Sequence, residues 1–151
     1  MLKRTNKKPI ANSNRRIAIV ASEYNARFVE GLLEGALNVL GNVEIVRVPG
    51  AFEIPVVAAR LARRKRRRPA TVICLGVILR GETTHAEHIG KTVSSLLGQI
   101  AVETGVPIIH EVLLLENEAQ ARRRCLNKRT NRGAEAAHTA LKMGEVMASL
   151  G

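Results

Sequence analysis

Residues 71–89 read TVICLGVILRGETTHAEHI, and the stretch changes character at Arg80. From Thr71 to Leu79 it is β-branched and apolar with almost no alternation, as expected of a strand covered on both faces in a parallel sheet. Arg80-Gly81-Glu82-Thr83-Thr84-His85 then brings a permanent cation, a glycine, a carboxylate, two hydroxyls and an imidazole. They fall where the strand should hand over to a helix starting near Ala86. Ligands of parallel α/β proteins bind just outside the carboxyl ends of the strands, so a site belongs here. Gly81 lets backbone N–H groups approach an anion, and the helix start adds the positive end of its dipole. The plain alternative is a capped helix start, with Thr83 or Thr84 as N-cap and His85 merely exposed.

Upstream, residues 16–21 (RIAIVA) read as a first strand running into Ser22-Glu23-Tyr24-Asn25. Phe28, Leu32, Leu33, Ala36, Leu37 and Leu40 recur at helical spacing over 25–40, and Gly41-Asn42 closes that helix. A second strand, 43–48, leads into Pro49-Gly50-Ala51-Phe52-Glu53-Ile54-Pro55. Two prolines there bracket a stiff turn that presents Phe52 and Glu53, and Pro55 begins a helix over 56–64. Downstream, Val93, Leu96, Leu97 and Ile100 mark a helix over 89–104 that stops at Gly105. A fourth strand spans 106–115, with Glu116-Asn117 as a turn. Two helical segments follow, 118–126 and 134–150, separated by the polar link 127–133. The order is βα four times with a broken last helix. Right-handed crossovers then give one parallel sheet with helices on both faces. The segments richest in chemistry, Ser22–Asn25, Pro49–Glu53, Arg80–His85 and Glu116, each follow a strand and should share one sheet edge.

The 151 residues and 46% hydrophobic content suit one domain with a real core. With two Phe, one Tyr and no Trp, that core must be aliphatic. Cys74 and Cys125 show no metal-ligand or disulfide spacing and read as reduced thiols of a cytoplasmic protein. The net charge of +11 gathers at 3–16, 63–68 and 122–132 with no interleaved aromatics to stack on bases. Neither a specific nucleic-acid partner nor a membrane is expected, and residues 1–14 read as a basic flexible tail, or a strand lent to a neighbouring chain.

Together these residues resemble the lumazine synthase family. The carriers are Tyr24-Asn25, Val48 to Pro55, Leu75-Gly76-Val77-Ile78 with Arg80 to His85, Glu118 to Arg124, and Asn131-Arg132-Gly133, in register over about 17–150. The resemblance implies a flavodoxin-like three-layer α/β/α sandwich with a four-stranded parallel sheet, in a single domain over 15–151. It implies condensation of 5-amino-6-ribitylamino-pyrimidinedione with 3,4-dihydroxy-2-butanone 4-phosphate to 6,7-dimethyl-8-ribityllumazine, the penultimate step of riboflavin biosynthesis, with release of phosphate and water. No metal or other cofactor is implied. His85 would shuttle protons. Tyr24, Asn25, Ala51, Phe52, Glu53, Val77, Ile78, Leu79 and His110 would bind the pyrimidine and ribityl chain. Gly81, Glu82, Thr83, Thr84, Arg124 and Arg132 would bind phosphate.

The family places its sites between adjacent subunits of a pentamer, and some members close into a sixty-subunit shell or associate with riboflavin synthase. The helical faces Leu96, Leu97 and Ile100, and Leu141, Met143 and Val146, read as apolar surface in excess of what the sheet covers. Departures from the family pattern are His110 for an aromatic, Glu111 for a glycine, Leu114-Leu115 for hydroxyls, Ala86 for an aromatic and Arg132 for a lysine. Two other functions compete on the residues alone: a flavin- or lumazine-binding module without catalysis, and a nucleic-acid or shell-forming protein that uses the charge.

Overall fold

The strand over Thr71–Leu79 (β3) runs through the middle of the molecule, buried from Thr71 to Val77. It pairs in parallel with β1 (Ile17–Ser22) on one side and β4 (Ile108–Leu115) on the other. β2 (Glu44–Val48) pairs in parallel with the far side of β1, giving a four-stranded sheet in the order β2-β1-β3-β4. Among the described residues that is the flavodoxin-like strand order 2-1-3-4. The computed structural model describes residues 16–81 and 84–151, so the tail 1–14 and the site candidates Glu82 and Thr83 lie outside the described residues.

Two cores explain the unbroken apolar run of β3. Ile73, Leu75 and Val77 point into a core shared with α1 (Ala26–Leu40), α4 (Glu118–Cys125) and α5 (Arg132–Ser149). Val72 and Cys74 point into the other core, under α2 (Ile54–Ala62) and α3 (His85–Thr104). With both faces covered, alternation has no polar side to record. Cys74 and Cys125 are buried free thiols, one in each core.

Gly41 and Gly105 end α1 and α3 at positive φ, where glycine has no Cβ penalty. Several boundaries differ from the sequence reading. α3 begins at His85, so the imidazole belongs to the first helical turn; Thr84 holds the N-cap position, but its side chain makes no cap bond. α2 begins at Ile54 rather than Val56, because the turn Ala51–Glu53 is itself a short 3-10 helix that feeds into it. β4 begins at Ile108, two residues inside the apolar run.

α5 begins at Arg132 instead of Ala134, because Asn131 caps it: its side-chain oxygen accepts from Ala134 N–H at 3.0 Å. Its Nδ2 donates to the carbonyls of Gly31 and Cys125, both at 2.9 Å, fastening the helix start to α1 and α4. Gly133 sits so close to α1 that a Cβ would collide with the Leu32 carbonyl. The excess of apolar surface is also smaller than expected. Leu97 and Ile100 lie in the chain's own core, on the inner stripe of α3, and only Leu96 and Val146 of those named stay exposed.

Candidate active site

All four strands point their carboxyl ends one way, so the chemistry-rich segments do gather at one edge. The turn after β1 is bonded to the turn after β2: Glu23 N–H donates to Val48 O at 2.9 Å and Tyr24 N–H to Pro49 O at 3.1 Å. Asn25 adopts the left-handed conformation (φ 56°, ψ 44°), which its short polar side chain tolerates better than most. Its Nδ2 donates to Val77 O at 2.8 Å, tying this turn to the end of β3. Tyr24 lies against Gly50, where a Cβ would come within 2.9 Å of the ring and 3.6 Å of a Glu53 carboxylate oxygen. A bare glycine thus lets an aromatic face and a carboxylate sit side by side. Tyr24 is 70% exposed and Phe52 60% exposed, although the chain has only three aromatic residues in all. Ala51 and Glu53 are half-buried beside them.

At the end of β3, Val77 is buried while Ile78 and Leu79 are half-buried. Arg80 N–H extends the ladder to Leu115 O at 2.8 Å. Its guanidinium pairs with Glu116 at 3.0 Å and with Glu87 of α3. Arg80 therefore clamps the start of α3 to the end of β4. A Cβ on Gly81 would meet nothing within 4 Å, so packing does not demand a glycine at that open position. Thr84 and His85 are exposed at the first turn of α3, where the positive end of the helix dipole favours an anion.

β4 is an edge strand, and it presents His110 and Glu111 on opposite faces. His110 Nδ1 accepts from Val112 N–H at 3.1 Å, and Nε2 lies 2.7 Å from Ser94 Oγ of α3. A backbone N–H can only donate, so Nδ1 is unprotonated and the ring is the neutral Nε2–H tautomer, assigned from this network. Loss of water around the ring also lowers its pKa below the usual histidine value. On the other face, Glu111 is 7% exposed. Arg132 reaches it at 3.3 and 3.5 Å and touches Glu135 at 3.4 Å. Burial pushes the Glu111 carboxyl above the usual range, against the opposing pull of Arg132 and, more weakly, of Arg124 from α4. Two of the departures noted in the sequence, Glu111 and Arg132, are thus each other's partners.

A model of the 6,7-dimethyl-8-ribityllumazine synthase family matches residues 14–148. The chain belongs to that family. A 6,7-dimethyl-8-ribityllumazine synthase of Kineococcus radiotolerans is 44% identical over 140 residues, covering 88% of this chain and 85% of the relative. Among solved structures, a de novo designed Rossmann fold protein is similar at a TM-score of 0.41 and 17% identity, covering 72% of this chain and 91% of that one.

As a lumazine synthase family member, the chain divides its candidate residues into two sets. Tyr24, Asn25, Ala51, Phe52 and Glu53 cluster after β1 and β2, and Asn25 joins them to Val77. Arg124, Arg132 and His110 lie on and around β4. β2 and β4 are opposite edges of the sheet, about 14 Å apart at the usual strand spacing. A groove of about 1030 Å³ does exist, but it opens among Arg16, Leu40, Glu44, Arg64, Thr71 and Leu141 at the other end of the strands, and none of the candidate residues lines it.

Sequence reasoning overlooked three contributors: Gly50 under Tyr24, the Arg80 clamp, and Glu111 as a partner of Arg132. Only the last had a signal, a carboxylate that follows His110 inside a run of aliphatic residues. Among the described residues no helix is long and apolar enough to cross a membrane, and no cluster of His, Cys, Asp and Glu could hold a metal ion.

Proposed function

We propose that the chain condenses 5-amino-6-ribitylamino-pyrimidinedione with 3,4-dihydroxy-2-butanone 4-phosphate, forming 6,7-dimethyl-8-ribityllumazine and releasing phosphate and water. Family membership supports the reading. The structural observation that carries it is the exposed pair Tyr24 and Phe52 beside Glu53, at the edge where α3 begins with His85. A planar pyrimidine stacks on Tyr24, while Asn25, Glu53 and the backbone at Ala51 and Phe52 meet ring and ribityl polar atoms. Val77, Ile78 and Leu79 form the apolar floor. The substrate amine attacks the ketone to give an imine, phosphate departs, and the ring closes. His85 moves the protons that these steps require. Gly81 and Thr84, at the start of α3, meet the phosphate together with Arg124 and Arg132, and the family resemblance assigns Glu82 and Thr83 to the same role.

Because the two residue sets lie toward opposite sheet edges, we infer that a complete site forms where the β4 side of one copy meets the β1–β2 turns of another. The family resemblance makes the minimum active unit a ring of five, with a larger shell and association with riboflavin synthase as further possibilities for a cytoplasmic enzyme. Phosphate release measured with both substrates tests the activity. Release that requires both, with a product absorbing as a lumazine, is expected. Tight lumazine or flavin binding without phosphate release would instead make the chain a binding module.

A further inference from the structure

The cluster on the inner face of β4 contains its own anion. Arg132 is held between Glu111 at 3.3 and 3.5 Å and Glu135 at 3.4 Å, and Arg124 acts on the same carboxylate from α4. Two guanidinium groups and two carboxylates leave the cluster with no net charge when all four are ionised. An incoming dianion would therefore meet no excess of positive charge, and at Arg132 it would meet a buried carboxylate already in place. Like charges at such a distance cannot both persist in a poorly hydrated site.

We infer that Glu111 is a positioning residue that makes anion binding at Arg132 proton-coupled: the carboxylate holds the guanidinium in the empty site and takes up a proton when a dianion arrives. The inference rests on the reading of Arg124 and Arg132 as phosphate ligands. One proton is gained by a Glu111 oxygen from solvent, and no covalent bond changes. The charged and titratable groups facing Glu111 are Arg132 and Glu135 of α5 and Arg124 and Cys125 of α4; β3 offers only Leu75 opposite it. Cys125 does not compete for the proton, since burial and Glu111 push its thiol up to about 11. Burial already biases Glu111 toward its acid form, so the uptake needs only a modest further push.

Sulfate is the probe of choice, being a dianion that does not itself titrate near neutral pH. Calorimetry on the assembled protein, in two buffers of different ionisation heat, counts protons taken up on binding. For the unsubstituted chain, affinity should fall with rising pH by up to about tenfold per unit above the Glu111 pKa, the limit for one linked proton. Glu111→Gln should remove that part of the slope and of the proton uptake. Glu111→Asp, which keeps a carboxylate, should retain both and guards against a folding artefact in the first variant. Identical proton uptake in Glu111→Gln and the unsubstituted chain, with binding still abolished in Arg124→Ala, would overturn the inference and leave the phosphate site standing. Sulfate binding indifferent to Arg124→Ala and Arg132→Ala would overturn both.

Discussion

The side-chain amide of Asn25 donates to the carbonyl of Val77 at 2.8 Å, joining the turn after β1 to the exit of β3 across the sheet edge. This bond fixes the base on which Tyr24 sits, and Asn25 does it from a left-handed backbone conformation. Asn25→Ala should lose both the bond and the tolerance for that conformation, each worth about 1 kcal/mol. Asn25→Gly should lose only the first. Urea unfolding at a fixed protein concentration should rank them in that order, and equal losses would mean the backbone conformation carries no cost.

His85 opens α3 at the same edge. His85→Ala should slow turnover on the order of a hundredfold or more, as loss of a positioned acid–base group does, while a product analogue binds nearly as before. Turnover at the unsubstituted rate would remove His85 from the mechanism.

Arg124→Ala should raise the KM for the butanone phosphate far more than that for the pyrimidine, because a charge-assisted fork has no replacement of equal geometry. Co-assembled with His85→Ala subunits, it should regain part of the lost activity, since some interfaces then combine two intact halves. Mixtures as inactive as their parents would rule out a shared site.

His110 should leave a mark on acid stability. Its folded pKa lies below the ordinary 6.5, so as pH falls from 6.5 the unfolded chain takes up a proton that the folded chain refuses. Stability is then lost as pH falls through that window, and the contribution is flat above it. Thermal unfolding of His110→Gln should depend less on pH below 6.5 than that of the unsubstituted chain. Parallel curves would show that the ring titrates freely.

Periodicity and turn chemistry in the sequence were enough to identify the strands, because an aliphatic run bounded by Gly, Pro and Asn has few other fates in a parallel sheet. The bounds of β3 were legible to the residue. Helix starts were less so. Asn131 caps α5 locally, through Ala134 N–H three residues on, but it lies in a run of turn residues and positive charge that reads as a link. Its hold on Gly31, a hundred positions back, has no local signature. Within the site, the shared edge was legible from strand order alone. The Glu111–Arg132 pair was not, since each residue read singly is only a departure, and their partnership exists only when α5 is laid against β4.

The clamp at Asn131 also redraws which substitutions should count as damage to the site. Gly35 lies within α1, far along the chain from any candidate phosphate ligand, yet a side chain there would run into the Asn131 amide. Even an alanine would have to push that amide aside, and with it the first turn of α5 that carries Arg132. In a survey of variants, position 35 should behave like a phosphate ligand while touching no substrate: its defects would appear as weakened anion affinity in a folded protein, a phenotype inherited through a hinge of three side-chain bonds.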